Sequence, residues 1–368
     1  MRPRLLFISG FFPNNSAPSS GQKLVFAEIA KLRAHYEVHL VSFINKLERP
    51  FCDRSTVGQM VESCTVFNLS TKNRVIAALR HPGLPLLASG RQLAAQHVRQ
   101  LLDTLQFERI VIEFTQAASI VPPEAFDRVE FVAHDVAYQA YERRVTQGQW
   151  WKRPIYALEL RRLRRWEQGV VHRARWVTVL NAKDEQILRR DVGRTDITIR
   201  YPELPEYLRA VCRSSEKVRQ GQILFWGHMA RAENIDAMAW FTQEVFPLVL
   251  KQHPHAQLII AGAAPTARVA RMAGKNVVVT GYIDDPTELF EQAEIAIAPL
   301  RYGGGIKIKT LETTMLGIDT VATQCGAEGV RQNGRLHIAD DPAGFASEVN
   351  KLLGKPWMED TNNVSSES

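Results

Sequence analysis

Short apolar runs recur along the chain, and segments with helical spacing of apolar residues lie between them. Each run is too short for a free-standing helix, so it predicts a buried strand. In the first half, a helix over Gln22–Leu32 is predicted between two such runs. The predicted strands of this half are Arg4–Ser9, Val38–Phe43, Arg109–Glu113, Val129–Ala133 and Trp176–Leu180. Strands that alternate with helices predict an α/β fold with a doubly wound parallel sheet.

The same alternation starts again at Gln222–Gly227, after a polar, proline-containing stretch over residues 200–220. We therefore predict one Rossmann-like domain over residues 1–210 and a second over residues 220–355, with ligands in the cleft between them. Asn234 is predicted to cap a helix over residues 235–251. Residues 356–368 are predicted to form a disordered tail. The strands predicted in this half include Gln257–Gly262, Val277–Gly281, Glu294–Leu300 and a strand at Thr320.

Three consecutive glycines, Gly303, Gly304 and Gly305, separate the predicted strand Glu294–Leu300 from a helical pattern that begins near Ile306. The first turn of a helix has backbone amides without intrahelical partners, and these amides attract anions. Glycines allow a ligand to approach the backbone closely. The turn is therefore predicted to be an anion site.

Two lysines and a glutamate follow the glycines. Lys307 and Lys309 would oppose the helix dipole unless an anion lay between them. Glu312 lies three residues after Lys309, on nearly the same helix face, and is suited to accept hydrogen bonds from a hydroxyl pair such as a ribose. The stretch thus indicates a sugar nucleotide, although a plain glycine turn with two solvated lysines would give the same pattern.

Polar residues also follow the predicted strands of the first half. Glu113 ends one strand, and His134 and Asp135 come directly after another. In a doubly wound fold, the carboxyl ends of the strands are the positions of binding sites. Gly21, at the start of the first helix, would let backbone amides reach a phosphate. The alternatives are a structural, hydrogen-bonded His134 and a glycine that only caps the helix.

Composition is that of a globular protein, with 45% hydrophobic and 23% charged residues. The four cysteines have no metal-site spacing, so neither a zinc site nor a disulfide framework is expected. No uninterrupted apolar run is long enough to cross a membrane, and the N-terminal run is too short for a signal peptide. These features favour a cytoplasmic protein.

The net charge of +7 is unevenly distributed. Residues 1–220 contain 34 Lys and Arg against 22 Asp and Glu, a difference of +12, and residues 221–368 contain 12 against 17, a difference of −5. A basic half is expected to face something anionic. Nucleic acid is disfavoured because no helix-turn-helix signature or aromatic sheet motif is present. A phosphorylated substrate and a membrane surface are left.

A long helix is predicted over residues 151–176, in which aromatic and other apolar residues lie among arginines. One interpretation is an aromatic and basic surface that meets an anionic membrane. The other is a core-packing helix with a solvated basic face, whose arginines pair with acids such as Glu159 and Glu167. The arginines concerned are Arg161, Arg162, Arg164 and Arg165.

The second half resembles the retaining GT-B glycosyltransferases of the large family 4 group. The residues that carry the resemblance are Phe225-Trp226-Gly227, Asn234 to Ala237, Trp240-Phe241, Pro247, His253-Pro254, Leu258 to Gly262, Val279 to Asp285, Ala298 to Arg301, Gly303 to Gly305, Lys309, Leu311-Glu312 and Gly326 to Gly329. The first half resembles the acceptor domain of this family more weakly, through Gly21-Gln22-Lys23 and His134-Asp135. The resemblance implies a GT-B fold, in which two Rossmann-like domains face a central cleft.

The resemblance also implies roles for single residues. Glu312 matches the second glutamate of the family's Glu-x7-Glu motif and would bind the ribose. His134 and Asp135 would be catalytic. The residues that would bind the nucleotide or the donor sugar are Gly21, Gly227, His228, Tyr282, Gly303, Gly304, Gly305, Lys307, Lys309 and Glu312.

Three positions depart from the family pattern. Gly304 replaces the first glutamate of the motif, and His228 and Asn234 replace the usual arginine and lysine. The diphosphate charge must then be met by Lys309, together with Lys307 and the helix N-terminus. No metal or other cofactor is expected, because cations and helix amides can stabilise the departing nucleoside diphosphate.

The implied function is transfer of a sugar from a nucleotide sugar to a saccharide or lipid-linked acceptor, in bacterial envelope polysaccharide or glycoconjugate synthesis. The protein would be cytoplasmic. It would be peripheral on the inner face of the cytoplasmic membrane if the basic helix binds lipid. Alternatives are a sugar-nucleotide epimerase or phosphorylase of the same fold, and a catalytically degenerate scaffold or binding subunit.

Overall fold

A computed structural model describes residues 2–14, 20–44, 52–68, 91–147, 150–205 and 208–355. The chain divides into two compact units, Met1–Pro202 and Glu203–Ser368. Each unit is built on one parallel sheet, so the predicted α/β fold with two Rossmann-like domains is confirmed. Within the predicted linker, Leu208 is buried in the core of the second unit. The predicted disordered tail lies outside the described residues.

The first unit contains seven strands and the helices that connect them within the described ranges. The strands are β1 (Arg4–Ser9), β2 (Glu37–Ile44), β3 (Ser63–Asn68), β4 (Arg109–Glu113), β5 (Val129–Ala133), β6 (Trp176–Val179) and β7 (Ile197–Ile199). The helices are α1 (Ser20–Leu32), α2 (Arg54–Gly58), α3 (Arg91–Thr104), α4 (Tyr138–Gln147), α5 (Arg153–Arg173) and α6 (Ala182–Val192).

The order of this sheet is β3-β2-β1-β4-β5-β6-β7, and all paired strands are parallel. Both faces are covered, which explains why β1 reads as a continuous apolar run with Leu5 to Ile8 fully buried. The strand order reverses between β1 and β4. Ligands of doubly wound sheets bind at such a reversal, beyond the carboxyl ends of the strands.

The second unit is described over residues 208–355 and contains six strands. The strands are β8 (Gln222–Trp226), β9 (Gln257–Ala261), β10 (Val277–Gly281), β11 (Ile295–Ala298), β12 (Asp319–Ala322) and β13 (Leu336–Ile338). The helices are α7 (Ala232–Trp240), α8 (Phe246–Gln252), α9 (Ala267–Ala270), α10 (Thr287–Gln292), α11 (Ile308–Met315) and α12 (Pro342–Leu352). The sheet order is β10-β9-β8-β11-β12-β13, so this sheet reverses between β8 and β11.

The predicted helix over residues 235–251 is not one regular helix. A π-helical segment, Phe241–Val245, separates α7 from α8. The predicted cap at Asn234 is also wrong, because α7 begins at Ala232 with Arg231 at the N-cap position. Asn234 lies inside the helix, where its side chain is used for other contacts.

Candidate functional site

The reversal of the second sheet brings two glycine turns to the ends of neighbouring strands. Gly227 follows β8, and the predicted triplet of Gly303, Gly304 and Gly305 follows β11. The backbone is tightly packed here: Gly262 has φ of +134°, and a Cβ on it would lie 1.9 Å from the Gly227 carbonyl oxygen. Only glycine fits at residue 262, and this close approach fixes the course of the chain beside Gly227.

Lys309 lies in the first turn of α11 and reaches across to the end of β8. A Cβ on Gly227 would be 2.8 Å from Lys309 Nζ, so the glycine makes room for the ammonium group. Nζ donates a hydrogen bond to Asn234 Oδ1 and lies 4.4 Å from the centre of the Phe225 ring. Asn234 Nδ2 in turn donates to the His228 carbonyl oxygen over 2.8 Å. The strand end, α7 and α11 are therefore joined through one lysine.

Burial lowers the pKa of Lys309 to about 7. Desolvation is the largest cause, and the positive charges of Arg231 and Lys307 act in the same direction, while Glu233 and Glu312 oppose them. His228 beside it also has a lowered pKa, first from burial and then from Arg231. Near neutral pH, Lys309 is thus close to its midpoint between the charged and the neutral form.

Lys307 is not a solvated cation, as the alternative interpretation of the glycine turn would have it. It is buried at the N-cap position of α11, and its Nζ donates to the Gly305 carbonyl oxygen over 2.7 Å and to Glu328 Oε2 over 3.0 Å. Glu328 therefore neutralises its charge within the protein. The expected conflict between two free lysines and the helix dipole does not arise, because Lys307 is paired and Lys309 is partly neutral.

Glu312 follows Lys309 on the buried side of α11 and is 5% exposed. The helix begins at Ile308, two residues later than the start of the predicted pattern, and Lys309 and Glu312 remain one turn apart on it. Tyr282 stands at the end of β10 and is 66% exposed, with its hydroxyl 3.3 Å from Asp284. Asp285 accepts a hydrogen bond from the Thr287 amide at the start of α10, where Pro286 is at the N-cap position.

The reversal of the first sheet brings together residues from the ends of β4 and β5. Glu113 is buried, and its Oε2 is hydrogen-bonded to His134 Nε2. Phe114 stacks on the His134 ring, with 3.9 Å between the ring centres. A Cβ on Gly21 would meet the Phe114 ring at 3.1 Å and lie 3.9 Å from His134 Nδ1. The structure thus places Gly21 beside His134, and it gives that glycine a packing role against Phe114.

Asp135, the second predicted catalytic residue, is exposed at the start of the next loop. That loop is anchored by Glu167 of α5, which accepts hydrogen bonds from Thr115 Oγ1 and from the Ala137 and Tyr138 amides. Burial raises the pKa of Glu167 to about 7. The alternative interpretation of this helix, which paired Glu167 with an arginine, is therefore wrong for this residue, since its carboxylate joins the loops after β4 and β5.

The four arginines predicted to form a basic surface have different roles. Arg161 and Arg165 are exposed. Arg162 forms an ion pair with Glu159 at 2.9 Å. Arg164 forms one with Asp191 at 2.6 Å and lies over the Tyr138 ring at 5.0 Å. Two of the four arginines are thus paired with acids. The pair of Arg162 with Glu159 is the one that the alternative interpretation of this helix predicted.

Sequence reasoning missed several residues that shape the two sites. Their pairing partners are far apart along the chain, and no local pattern connects them. The residues are Phe114, Glu167, Asn234 as the partner of Lys309, and Glu328 as the partner of Lys307. The sequence places Glu113 at a strand end where binding sites lie, but it indicates no role for this residue. Within the described ranges, no group of three or more His, Cys, Asp or Glu side chains could hold a metal ion.

Comparison with known proteins identifies the second unit. Residues 220–355 match the model of the family Glycosyl transferases group 1. The chain has the GT-B fold, and its residues 220–355 are similar to the group 1 glycosyltransferases. The predicted resemblance of the second half to GT-B glycosyltransferases is confirmed.

Individual relatives are distant. An uncharacterised 44.6 kDa protein of the cps region of Klebsiella pneumoniae is 28% identical over 138 residues, which is 34% of this chain and 36% of that protein. The crystal structure of Anabaena Alr3699/HepE in complex with UDP has a TM-score of 0.60 and 13% identity, with 95% of this chain and 89% of that chain covered. The N-terminal domain of Candida albicans trehalose-6-phosphate phosphatase has a TM-score of 0.63 and 11% identity, with 96% and 90% covered. At such identities the structural matches show the fold.

Proposed function

We propose that the protein is a retaining glycosyltransferase, which transfers a sugar from a nucleoside-diphosphate sugar to a saccharide or lipid-linked saccharide. The observation that carries this proposal is the placement of Lys309 and Glu312 one turn apart on α11, at the reversal of the group 1 domain. Support for the donor class comes from the solved complexes of HepE with UDP and with UDP-glucose. The cps-region relative supports a role in bacterial envelope polysaccharide or glycoconjugate synthesis.

In this proposal, the second unit binds the donor. Glu312 accepts hydrogen bonds from the ribose hydroxyls, and the diphosphate lies beside Lys309 Nζ, Gly227 and the N-terminal turn of α11. An approaching diphosphate stabilises the charged form of Lys309, because an opposite charge favours ionisation. Lys307 and Glu328 form a fixed ion pair, in which the charge of the lysine is already neutralised. Gly304 replaces the first glutamate of the motif and has no side chain. Contacts to the donor sugar are therefore made by the backbone there.

The first unit then binds the acceptor. His134 and Asp135 are the proposed catalytic residues, and both stand at the carboxyl end of β5 beside the reversal of that sheet. His134 is oriented by Glu113 and Phe114, so one of its ring nitrogens has a fixed partner inside the protein. An oriented imidazole is suited to contact the transferred sugar or the acceptor hydroxyl.

A donor screen tests the proposed function. The full-length protein is incubated with a panel of nucleotide sugars, with and without an envelope extract, and release of nucleoside diphosphate is measured. We expect one donor to give release that depends on the extract. Release that is equally fast without an acceptor would indicate an epimerase or hydrolase, and no release with any donor would indicate a degenerate scaffold.

Activity is expected to persist in excess chelator. The diphosphate charge is met by Lys309 and by backbone amides at the N-terminus of α11, which stabilise the leaving group electrostatically. Initial rates are compared in EDTA and after addition of magnesium or manganese. A strict requirement for either metal ion would contradict this account of the charges.

We also propose that the start of α5 meets an anionic membrane surface. Trp150 and Ile155 are 74% and 63% exposed, and Trp151 and Leu158 lie beside them, also exposed. Arg161 and Arg165 continue this exposed face toward the end of the helix. Exposed aromatic residues next to basic ones are typical of interfacial helices. No described helix of the protein is long and apolar enough to cross a membrane.

Liposome sedimentation tests the membrane proposal. Basic residues near anionic lipid contribute about 1 kcal/mol each, so changing Arg161 and Arg165 together to glutamine should weaken binding about thirtyfold. Binding should also decrease with salt, which screens exposed charges. Arg162→Gln is the matched control, because Arg162 is paired with Glu159. Equal binding to neutral and anionic vesicles would exclude this proposal without affecting the transferase function.

A further inference from the structure

His134 has two different neighbours at its two ring nitrogens. Nε2 is hydrogen-bonded to the buried carboxylate of Glu113, and Nδ1 faces Gly21 in the first turn of α1. A carboxylate can only accept a hydrogen bond, so this contact favours the tautomer with the proton on Nε2. In the neutral ring, Nδ1 is then an acceptor, at the edge of the sheet where ligands of this fold bind.

The plane of the imidazole is fixed by Phe114. The backbone of Phe114 has a φ of 72°, which is rare for a residue with a bulky side chain. This backbone conformation places the phenyl ring on the imidazole at 3.9 Å, with 21° between the planes. Phe11 supports the phenyl ring from its edge, with the ring centres 4.9 Å apart. Strain of this kind persists only where the surroundings enforce it, and it is common at functional sites.

The two loops that carry these residues are also fixed to each other. Thr115, one residue after Phe114, donates to Glu167 Oε1 over 2.6 Å. The Ala137 amide, three residues after His134, donates to the same oxygen over 3.1 Å. Glu167 is buried, so these bonds are shielded from water. Two hydrogen bonds to Glu167 and the stacking of the two rings therefore set the position of Phe114 relative to His134.

We infer that Glu113 is a positioning residue, which holds His134 as the Nε2-protonated tautomer and presents Nδ1 to the reacting sugar or to the acceptor hydroxyl. Only the identity of the group that Nδ1 contacts rests on the proposed function. Phe114 holds the ring plane, and Gly21 leaves the room that the phenyl ring needs. Glu113 acts through His134 and does not contact the substrate.

Nitrogen-15 correlation spectra of the histidine rings test the tautomer directly, without any need for activity. At pH 8, we expect His134, assigned by its loss in His134→Gln, to show the Nε2-protonated pattern. A glutamine amide can donate as well as accept. Glu113→Gln should therefore allow the Nδ1-protonated form to appear, while the packing of the side chain is kept. An Nδ1-protonated ring in the unchanged protein would overturn the inference.

Steady-state kinetics separates positioning from packing. Glu113→Gln should lower kcat at least about tenfold, since a misplaced catalytic group costs this much or more. The KM for the nucleotide sugar and the melting temperature should stay close to those of the unchanged protein. Glu124→Gln changes an exposed glutamate of the same unit and is the control. An unchanged kcat in Glu113→Gln, or a lowered kcat with an unchanged tautomer, would contradict the inference. If no donor supports transfer, the spectra still decide the tautomer.

Discussion

Changing Glu312 to alanine is expected to lower the affinity for the nucleotide sugar at least tenfold. The carboxylate lies on the buried side of α11, one turn beyond Lys309. In the proposed complex it accepts hydrogen bonds from the ribose. Loss of a charge-assisted hydrogen bond costs about 1.5–3 kcal/mol, which corresponds to roughly a tenfold to hundredfold change in affinity.

Isothermal titration calorimetry with the full-length protein measures this effect. Glu288→Ala is a suitable control, because it removes an exposed glutamate from α10 in the same unit. The circular dichroism spectrum and melting temperature show whether the Glu312 variant is folded. Unchanged affinity in a folded Glu312→Ala protein would remove this residue from the site.

Affinity for the nucleotide sugar is also expected to fall as the pH rises above 7. Lys309 has a pKa of about 7 without ligand, because burial disfavours its charged form. The bound diphosphate raises this pKa, so binding above pH 7 requires uptake of a proton. Below pH 7 the lysine is already charged and affinity should be constant. Above pH 7, affinity should approach a decrease of about tenfold per pH unit, until the pKa of the complex is reached.

Titrations between pH 6.5 and 8.5, in pairs of buffers with different ionisation enthalpies, measure both the affinity and the proton uptake. A nucleotide sugar is preferable to a free nucleoside diphosphate, whose terminal phosphate itself titrates near pH 6. Lys309→Met should bind weakly, and its affinity should not depend on pH in this range. Lys251→Met, an exposed lysine of α8, should behave like the unchanged protein. Equal affinity at pH 6.5 and 8.5, without proton uptake, would show that Lys309 does not contact the diphosphate.

The central strands of both sheets, such as β1, β5 and β11, were predictable because they are buried on both faces. Runs such as Leu5 to Ile8 have no polar alternation, and this pattern in a chain with intervening helices leaves few folds other than a parallel sheet. The glycine turns after β8 and β11 were also predictable, since glycine tolerates close backbone contacts that other residues do not. Local chemistry was sufficient for these features.

The pairing of charged residues was not predictable from the sequence. Lys307 and Glu328 are 21 positions apart, and Lys309 and Asn234 are 75 apart, so only the folded chain shows that they meet. The same holds for Arg164 and Asp191, which are 27 positions apart. From the sequence alone, a lysine is expected to be a solvated cation. Its charge in the folded protein depends on burial, which the sequence does not show.

Asn234 shows a related difficulty. An asparagine before an apolar helical pattern is a good N-cap, which is why the cap was predicted there. The structure begins α7 three residues earlier than predicted, with no side-chain cap bond. Asn234 instead contacts Lys309 and the His228 carbonyl oxygen from inside the helix. The contacts of the site have overridden the local preference, as is common at functional positions.

The most direct test of the account is a crystal structure of the full-length protein with the nucleoside diphosphate of the donor that the screen selects. We predict that the ribose hydroxyls lie within hydrogen-bond distance of the Glu312 carboxylate. The diphosphate should lie beside Lys309 Nζ and Gly227, at the N-terminal turn of α11. A nucleotide bound elsewhere in the protein, with neither Lys309 nor Glu312 in contact, would contradict the central claim that this reversal of the second sheet is the donor site.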